Sequence, residues 1–215
     1  MNGANNNMDG MPGMRRASVA IALTYMVSGF LTAVALVQVV SRTVIAETRQ
    51  INIEQSKLTV FVYKSGLFSA LADDHVIDGS IASGRISDAA PLSVVLDVRA
   101  GDLKVRDPNL SASKREEVQA RMLGPEVLDA RKFPSIAFES TAIESGGADR
   151  WTVTGRLTIH GQTRPVTIPV SRANGRYRGS VTLKQRDFGI MPISIAGGTV
   201  KVKDEIKIEF DIVPR

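Results

Sequence analysis

The stretch WTVTGRLTIHGQTRPVTIPV, residues 151–170, decides the fold class of this chain. In its first half Trp151, Val153, Gly155, Leu157 and Ile159 alternate with Thr152, Thr154, Arg156, Thr158 and His160. Successive side chains of a strand point to opposite faces, so this alternation predicts a strand with one dry face and one wet face. Gly161, Gln162, Thr163 and Arg164 supply the expected turn, and Val166, Ile168 and Val170 restart the alternation. Pro165 and Pro169 have no N–H to give to a ladder, so one side of this second strand is expected to be free or irregular.

The same period of two recurs along the chain. Leu58, Val60 and Val62 alternate with Thr59, Phe61 and Tyr63. Residues 76–86 read as a weaker strand interrupted by Gly79 and Gly84, and Leu92, Val94, Leu96 and Val98 form another dry face. Leu103 and Val105 begin a shorter piece that Asp107-Pro108 ends. Further on come Ile136 and Phe138, then Tyr177, Gly179, Val181 and Leu183, then Ile206, Ile208, Phe210 and Ile212. Gly146-Gly147 and Asn174-Gly175 supply hairpin turns, because both Asn and Gly tolerate positive φ. One helix interrupts the pattern. Ser113 and Glu116 have the spacing of a capping box, Val118, Met122 and Leu123 share a helical face, and Gly124-Pro125 stops the run.

About eight strands with short turns favour an antiparallel meander. Closing into a barrel hides both the dry face and the edges, whereas a two-sheet sandwich is the alternative. A barrel of about eight strands has an interior that side chains can just fill, or that holds one slender ligand.

The chain has 215 residues, no cysteine and a formal net charge of +5. Disulfides, iron–sulfur clusters and thiolate zinc sites are therefore excluded. No dense basic run with interleaved aromatics occurs, so nucleic acid is not an expected partner. Residues 1–16 form a tail rich in Asn, Gly and Met that ends in Arg15-Arg16. Residues 17–46 follow, uncharged as far as Ser41 and long enough to cross a bilayer as a helix. Val44-Ile45-Ala46 also offers a cleavage site, so this segment is expected to be either a membrane anchor or a signal peptide. Both readings export residues 47–215.

Several stretches carry a resemblance. They are ARKFPSIAFES (residues 130–140), GRLTIHGQTRPV (155–166), RDFGI (186–190) and VKDEIKI (202–208). In order and spacing they resemble the YceI family of periplasmic proteins, over roughly residues 50–213. The resemblance implies an all-β fold, an extended antiparallel eight-stranded lipocalin-like barrel with one short helix insertion, here preceded by an N-terminal hydrophobic helix. It implies a polyisoprenoid or similar amphiphile in the pore as partner. It also implies a periplasmic location, secreted or held at the inner membrane through residues 17–40. No cofactor is expected, and the oligomeric state is open.

A long isoprenoid needs a dry, narrow and continuous lining, with polar groups only at the mouth. Phe61, Phe133, Phe138, Leu157, Ile159, Val181, Leu183, Phe188, Ile206 and Phe210 are the expected lining. Arg164, Lys184 and Arg186 are candidates for a phosphate head group, against the plainer reading of solvated charges. His160 is expected to hold its hairpin through a bond to backbone. The chain has no Gly-x-Ser-x-Gly, phosphate-loop or His-Glu-x-x-His motif, and no catalytic or metal-binding residue is assigned. Two alternatives stay open: a small hydrolase or metal-dependent enzyme using Asp73, Asp74 and His75, and a ligand-free anchored scaffold filled by its own side chains.

Overall fold

The computed structural model describes residues 47–65, 74–195 and 200–215. The tail at 1–16, the apolar segment at 17–46 and the short apolar stretch at 67–72 lie outside the described residues. Among those described, no helix is long and apolar enough to cross a membrane.

The strands are β1 (Thr48–Gln50), β2 (Lys57–Ser65), β3 (His75–Gly79), β4 (Ile81–Ser87), β5 (Ser93–Arg99) and β6 (Lys104–Val105). Helix α1 (Ala112–Leu123) precedes β7 (Ser135–Ser145), β8 (Arg150–Ile159), β9 (Gln162–Ala173), β10 (Arg176–Lys184), β11 (Ser194–Ile195) and β12 (Val200–Ile212). They form one sheet in the order β1-β4-β5-β7-β8-β9-β10-β12-β2-β3-β6, with β11 on β12. All ladders are antiparallel, and the sheet curls into a half-barrel. Among the described residues twelve strands therefore stand where eight were expected. Part of the difference is the single weak strand expected over 76–86. It breaks at Ser80 into β3, which pairs with β2, and β4, which pairs with β5. The sheet turns a corner there. The remainder is the short strands β1, β6 and β11.

The segment after β1 and the residues after β12 bond each other along an edge. Asn52 N–H bonds the Val213 carbonyl at 2.7 Å, and Arg215 N–H bonds the Gln50 carbonyl at 2.7 Å. Bare strand edges invite pairing with other chains, and these bonds occupy part of one.

Helix α1 begins two residues earlier than its expected capping box. Ser111 is the N-cap, and its Oγ accepts from the Lys114 N–H at 3.3 Å. Gly124 ends the helix, as its sequence position requires. Met122 is buried, and Val118 and Leu123 pack beside it on the core.

The turn after β8 is also tighter than expected. His160 and Gly161 alone make it, with φ of 51° and 71°, and Gln162 already pairs with Ile159. Two left-handed residues define the turn type whose twist suits a two-residue hairpin. In such a hairpin the closing pair is hydrogen-bonded, and the donors of one strand alternate between its two neighbours. From Gln162, the even-numbered residues of β9 donate to β8. The odd-numbered ones, Pro165 and Pro169 among them, face β10. The β9–β10 ladder runs only from the Arg176–Ala173 pair to the Gly179–Val170 pair. It stops where Pro169 would have to give the next N–H. Beyond that point residues 162–169 have no partner strand on the β10 side, while β10 pairs with β12 up to Lys184. The irregular side expected from the two prolines is thus a break in the β9–β10 ladder.

Candidate ligand-binding cavity

The inward residues of these strands enclose an apolar cavity of about 170 Å³. On β8 the inward positions Trp151, Val153, Leu157 and Ile159 all line it. At the usual rise of a strand, eight residue steps from Trp151 to Ile159 span about 26 Å. A space of that volume is of the size that holds a small apolar molecule, so at the width of a hydrocarbon chain it occupies only part of that length.

Two glycines keep the interior open. A Cβ on Gly155 would stand 2.4 Å from Cζ of Phe138, and one on Gly179 would stand 2.6 Å from Cζ of Phe210. Each aromatic ring thus rests on bare backbone of the wall, an arrangement in which a ring covers a strand glycine. With a side chain beneath, either ring would have to shift.

The expected lining residues divide in two. Phe138, Leu157, Ile159, Val181 and Phe210 line the cavity together. Phe61, Phe133, Leu183, Phe188 and Ile206 do not line it. Phe61 lies opposite in parity to Leu58, Val60 and Val62, which pack on the core, so its ring is on the outer face of β2. Phe133 packs edge-on against the His160 ring, with centroids 4.5 Å apart, and lies directly under Gly161. Leu183, Phe188 and Ile206 belong to the close-packed part of the core, outside the cavity wall. Trp151, Tyr177, Ile168 and Val170 line the cavity although they were not among the expected residues. Their parity was visible in the alternation. Tyr177 and Trp151 differ in carrying a polar edge, which marks the mouth rather than the middle.

At that mouth Asp88 is the one charged residue of the lining. Its Oδ2 accepts from the Tyr177 hydroxyl at 3.2 Å and from the guanidinium of Arg49. The guanidinium of Arg172 lies over both rings, 5.6 Å from the centroid of Trp151 and 5.9 Å from that of Tyr177. Arg172 also pairs with Asp149 at 2.8 Å. Hydrogen bonding to Tyr177 and then to Asp149 holds its proton more firmly than usual.

The remaining candidates lie elsewhere. His160 Nδ1 is 3.3 Å from the carbonyl oxygen of Phe188, so its ring ties the turn to the 3-10 turn Gln185–Phe188. Arg164 donates to the neighbouring Thr163 carbonyl at 2.9 Å. The backbone N–H of Arg186 bonds Asp204. Neither arginine lines the cavity, nor does Lys184. In the Asp73/Asp74/His75 loop, Asp73 is outside the described residues. Asp74 accepts from the Lys64 backbone N–H at 2.9 Å, and His75 Nδ1 sits 2.6 Å from Oδ2 of Asp107. Asp107 is buried at 2% exposure and also accepts from the Val76 N–H. Asp74 and His75 therefore serve different partners and do not converge on a shared site. No cluster of three metal-ligating side chains occurs among the described residues.

The family model of the YceI-like domain matches residues 44–213. This chain belongs to the YceI-like family. It is 34% identical over 88 residues to a UPF0312 protein of Pseudomonas putida strain W619, covering 36% of this chain and 46% of that protein. It is 42% identical over 73 residues to a UPF0312 protein of Pseudomonas aeruginosa strain PAO1, covering 29% of this chain and 38% of that protein. The matched region thus spans less than half the length of these relatives. Among solved structures, BcnA of Burkholderia cenocepacia superposes with a TM-score of 0.55 at 20% identity, over 75% of this chain and 98% of that one. A polyisoprenoid binding domain from Saccharophagus degradans superposes with a TM-score of 0.51 at 13% identity, over 76% and 95%. At these identities the likeness concerns the fold.

Proposed function

We propose that this YceI-like chain is a non-enzymatic carrier that holds an isoprenoid-type lipid or similar amphiphile inside its β-barrel. The observation that carries the reading is the cavity itself, walled almost wholly by aliphatic and aromatic side chains, with Trp151, Val153, Leu157 and Ile159 of one strand all on its wall. Polar groups gather only at one end, around Asp88 and Tyr177. A hydrocarbon chain gains about 0.8 kcal/mol for each methylene it takes out of water, so a dry groove of this length is a strong attractor for one. A structural relative that is a polyisoprenoid binding domain supports the choice of lipid.

The setting proposed for this activity is the periplasm. The domain is either secreted after cleavage near Ala46 or kept at the inner membrane by residues 17–40. N-terminal sequencing of the mature protein distinguishes the two.

Native mass spectrometry of protein extracted in mild detergent tests the carrier reading. The expected spectrum shows a bound lipid that added farnesol displaces. A protein that emerges empty and ignores added isoprenoids would favour the ligand-free scaffold instead.

A further inference from the structure

The cations of this domain behave differently at its two ends. At the end that holds Asp88 and Tyr177 they are matched by carboxylates: Arg49 by Asp88, Arg172 by Asp149, and both Arg176 and Arg178 by Asp211. The opposite end is marked by the pairs Ile159–Gln162, Lys184–Glu205 and Lys201–Ser65, where β8 turns into β9, β10 stops and β12 begins beside the end of β2. Here stand Lys132, Arg164, Lys184, Arg186, Lys201 and Lys203, all exposed. None of the six forms an ion pair among the described residues. Lys132 and Lys203 lie over the rings of Phe133 and Tyr63, at 5.2 and 5.9 Å from the centroids.

The turns hold this end together. The His160 ring contacts the Phe188 carbonyl oxygen on one side and the Phe133 ring on the other. Arg186, Lys201 and Lys203 share the wall of one recess of about 360 Å³ with Pro192 and Ile193. Met191, the next residue along, is 64% exposed, more than any other large hydrophobic side chain among the described residues. Five carboxylates accompany the cations: Asp74, Asp129, Asp187, Asp204 and Glu205. Asp74 and Asp204 accept from the backbone N–H groups of Lys64 and Arg186. Arg131, exposed beside Lys132, is a seventh cation.

Unpaired cations spread over several turns suit a broad, flat anionic partner. A small anion reaches one or two of them, whereas a bilayer reaches all those that face it. Each basic side chain brought near an anionic bilayer raises affinity about fivefold. An exposed apolar side chain among the cations adds area that can enter the head-group layer. We propose that this end of the domain is a docking face for an anionic lipid bilayer. Arg164, Lys184 and Arg186 then meet lipid phosphates at a membrane surface, not the head of a ligand in the cavity. Ile159 lines the cavity and directly precedes the His160 turn, so docking brings that part of the cavity wall near the lipid. The proposal goes beyond the carrier reading and does not require it.

Cosedimentation of the full chain with vesicles tests it. One set is phosphatidylcholine alone and the other contains phosphatidylglycerol as well. Neutral vesicles record whatever residues 17–46 contribute. Two double variants are compared: Arg164→Glu with Lys201→Glu at the docking face, and Lys57→Glu with Arg150→Glu, exposed and outside any ion pair at the opposite end. Both change the net charge equally, and residues 1–46 are the same in each. The unaltered protein should prefer the anionic vesicles by at least about tenfold. The first double variant should lose at least about tenfold in affinity for them, and the second less than about threefold. Equal affinity for both vesicle types overturns the proposal, and a partner with an acidic protein surface then fits these cations better. Equal losses in the two double variants overturn it too, since net charge would then account for the binding. Should the first pair not fold, Lys132→Glu with Lys184→Glu replaces it under the same criteria. Displacement of a cavity ligand is measured separately, so the carrier reading stands or falls on its own.

Discussion

The Phe210 ring rests against Gly179: a Cβ on that glycine would stand 2.6 Å from Cζ of the ring and 2.6 Å from the Pro169 carbonyl oxygen. The second contact is with backbone, so rotating the ring does not relieve it. Gly179→Ala is expected to destabilise the fold by about 1–3 kcal/mol, the usual cost of overpacking. Urea denaturation measures it. An unchanged midpoint would show that Pro169 and Phe210 move aside freely.

Val181 lines the cavity from β10, where it pairs with Ile208 of β12. Val181→Phe should fill the narrow space and weaken binding of an apolar probe by at least about tenfold. The energetic basis is the loss of several methylene contacts at roughly 0.8 kcal/mol each. The variant's circular dichroism spectrum should match that of the unaltered protein. Undiminished binding would place the ligand elsewhere.

Trp151 is the only tryptophan in the chain and lines the cavity beside Tyr177. Its emission should therefore shift or change in intensity as a lipid enters, without any label. Titration with farnesol should give a saturable change in the unaltered protein and none in Val181→Phe.

Burial pushes the Asp211 carboxyl up, but bonds from Arg176 at 2.7 Å and Arg178 at 3.0 Å outweigh it and hold it below its usual value. A carboxyl whose folded value is lowered stabilises the fold above its unfolded value, near 3.9. That contribution disappears as pH falls through the folded value. The stability difference between the unaltered protein and Asp211→Asn should therefore be constant above about pH 5 and shrink at lower pH. A difference that grows on acidification would contradict the assignment.

The interrupted β9–β10 ladder predicts an exchange pattern. Val166 and Ile168 donate toward β8, whereas Thr163 and Thr167 face β10, where the ladder is absent. Amide exchange followed by NMR should find Thr163 and Thr167 fast and Val166 and Ile168 slow. Equal protection would mean that another group bonds those N–H groups.

Much of this protein was written in the alternation of its side chains. On β5, β8 and β10 that pattern indicated which residues point inward, because a strand leaves a side chain only two directions; on β2 Phe61 was expected in the lining and lies on the outer face, opposite Leu58, Val60 and Val62. The prolines of β9 announced a broken ladder, since a missing N–H is missing in every fold. The family could be read from the spacing of four short stretches. What alternation cannot carry is depth along the barrel. Val181 and Leu183 share a face, yet only Val181 reaches the cavity. The difference depends on which residues from distant strands stand opposite. Phe138 and Phe210 line an open space because Gly155 and Gly179 lie beneath them on neighbouring strands. The mouth likewise unites Arg49, Asp88 and Tyr177 from far-apart parts of the chain. Facing is a local property of the backbone, and the sequence determined it. The cavity and the Arg49–Asp88–Tyr177 cluster at its edge are properties of strand register, which only the tertiary structure decided.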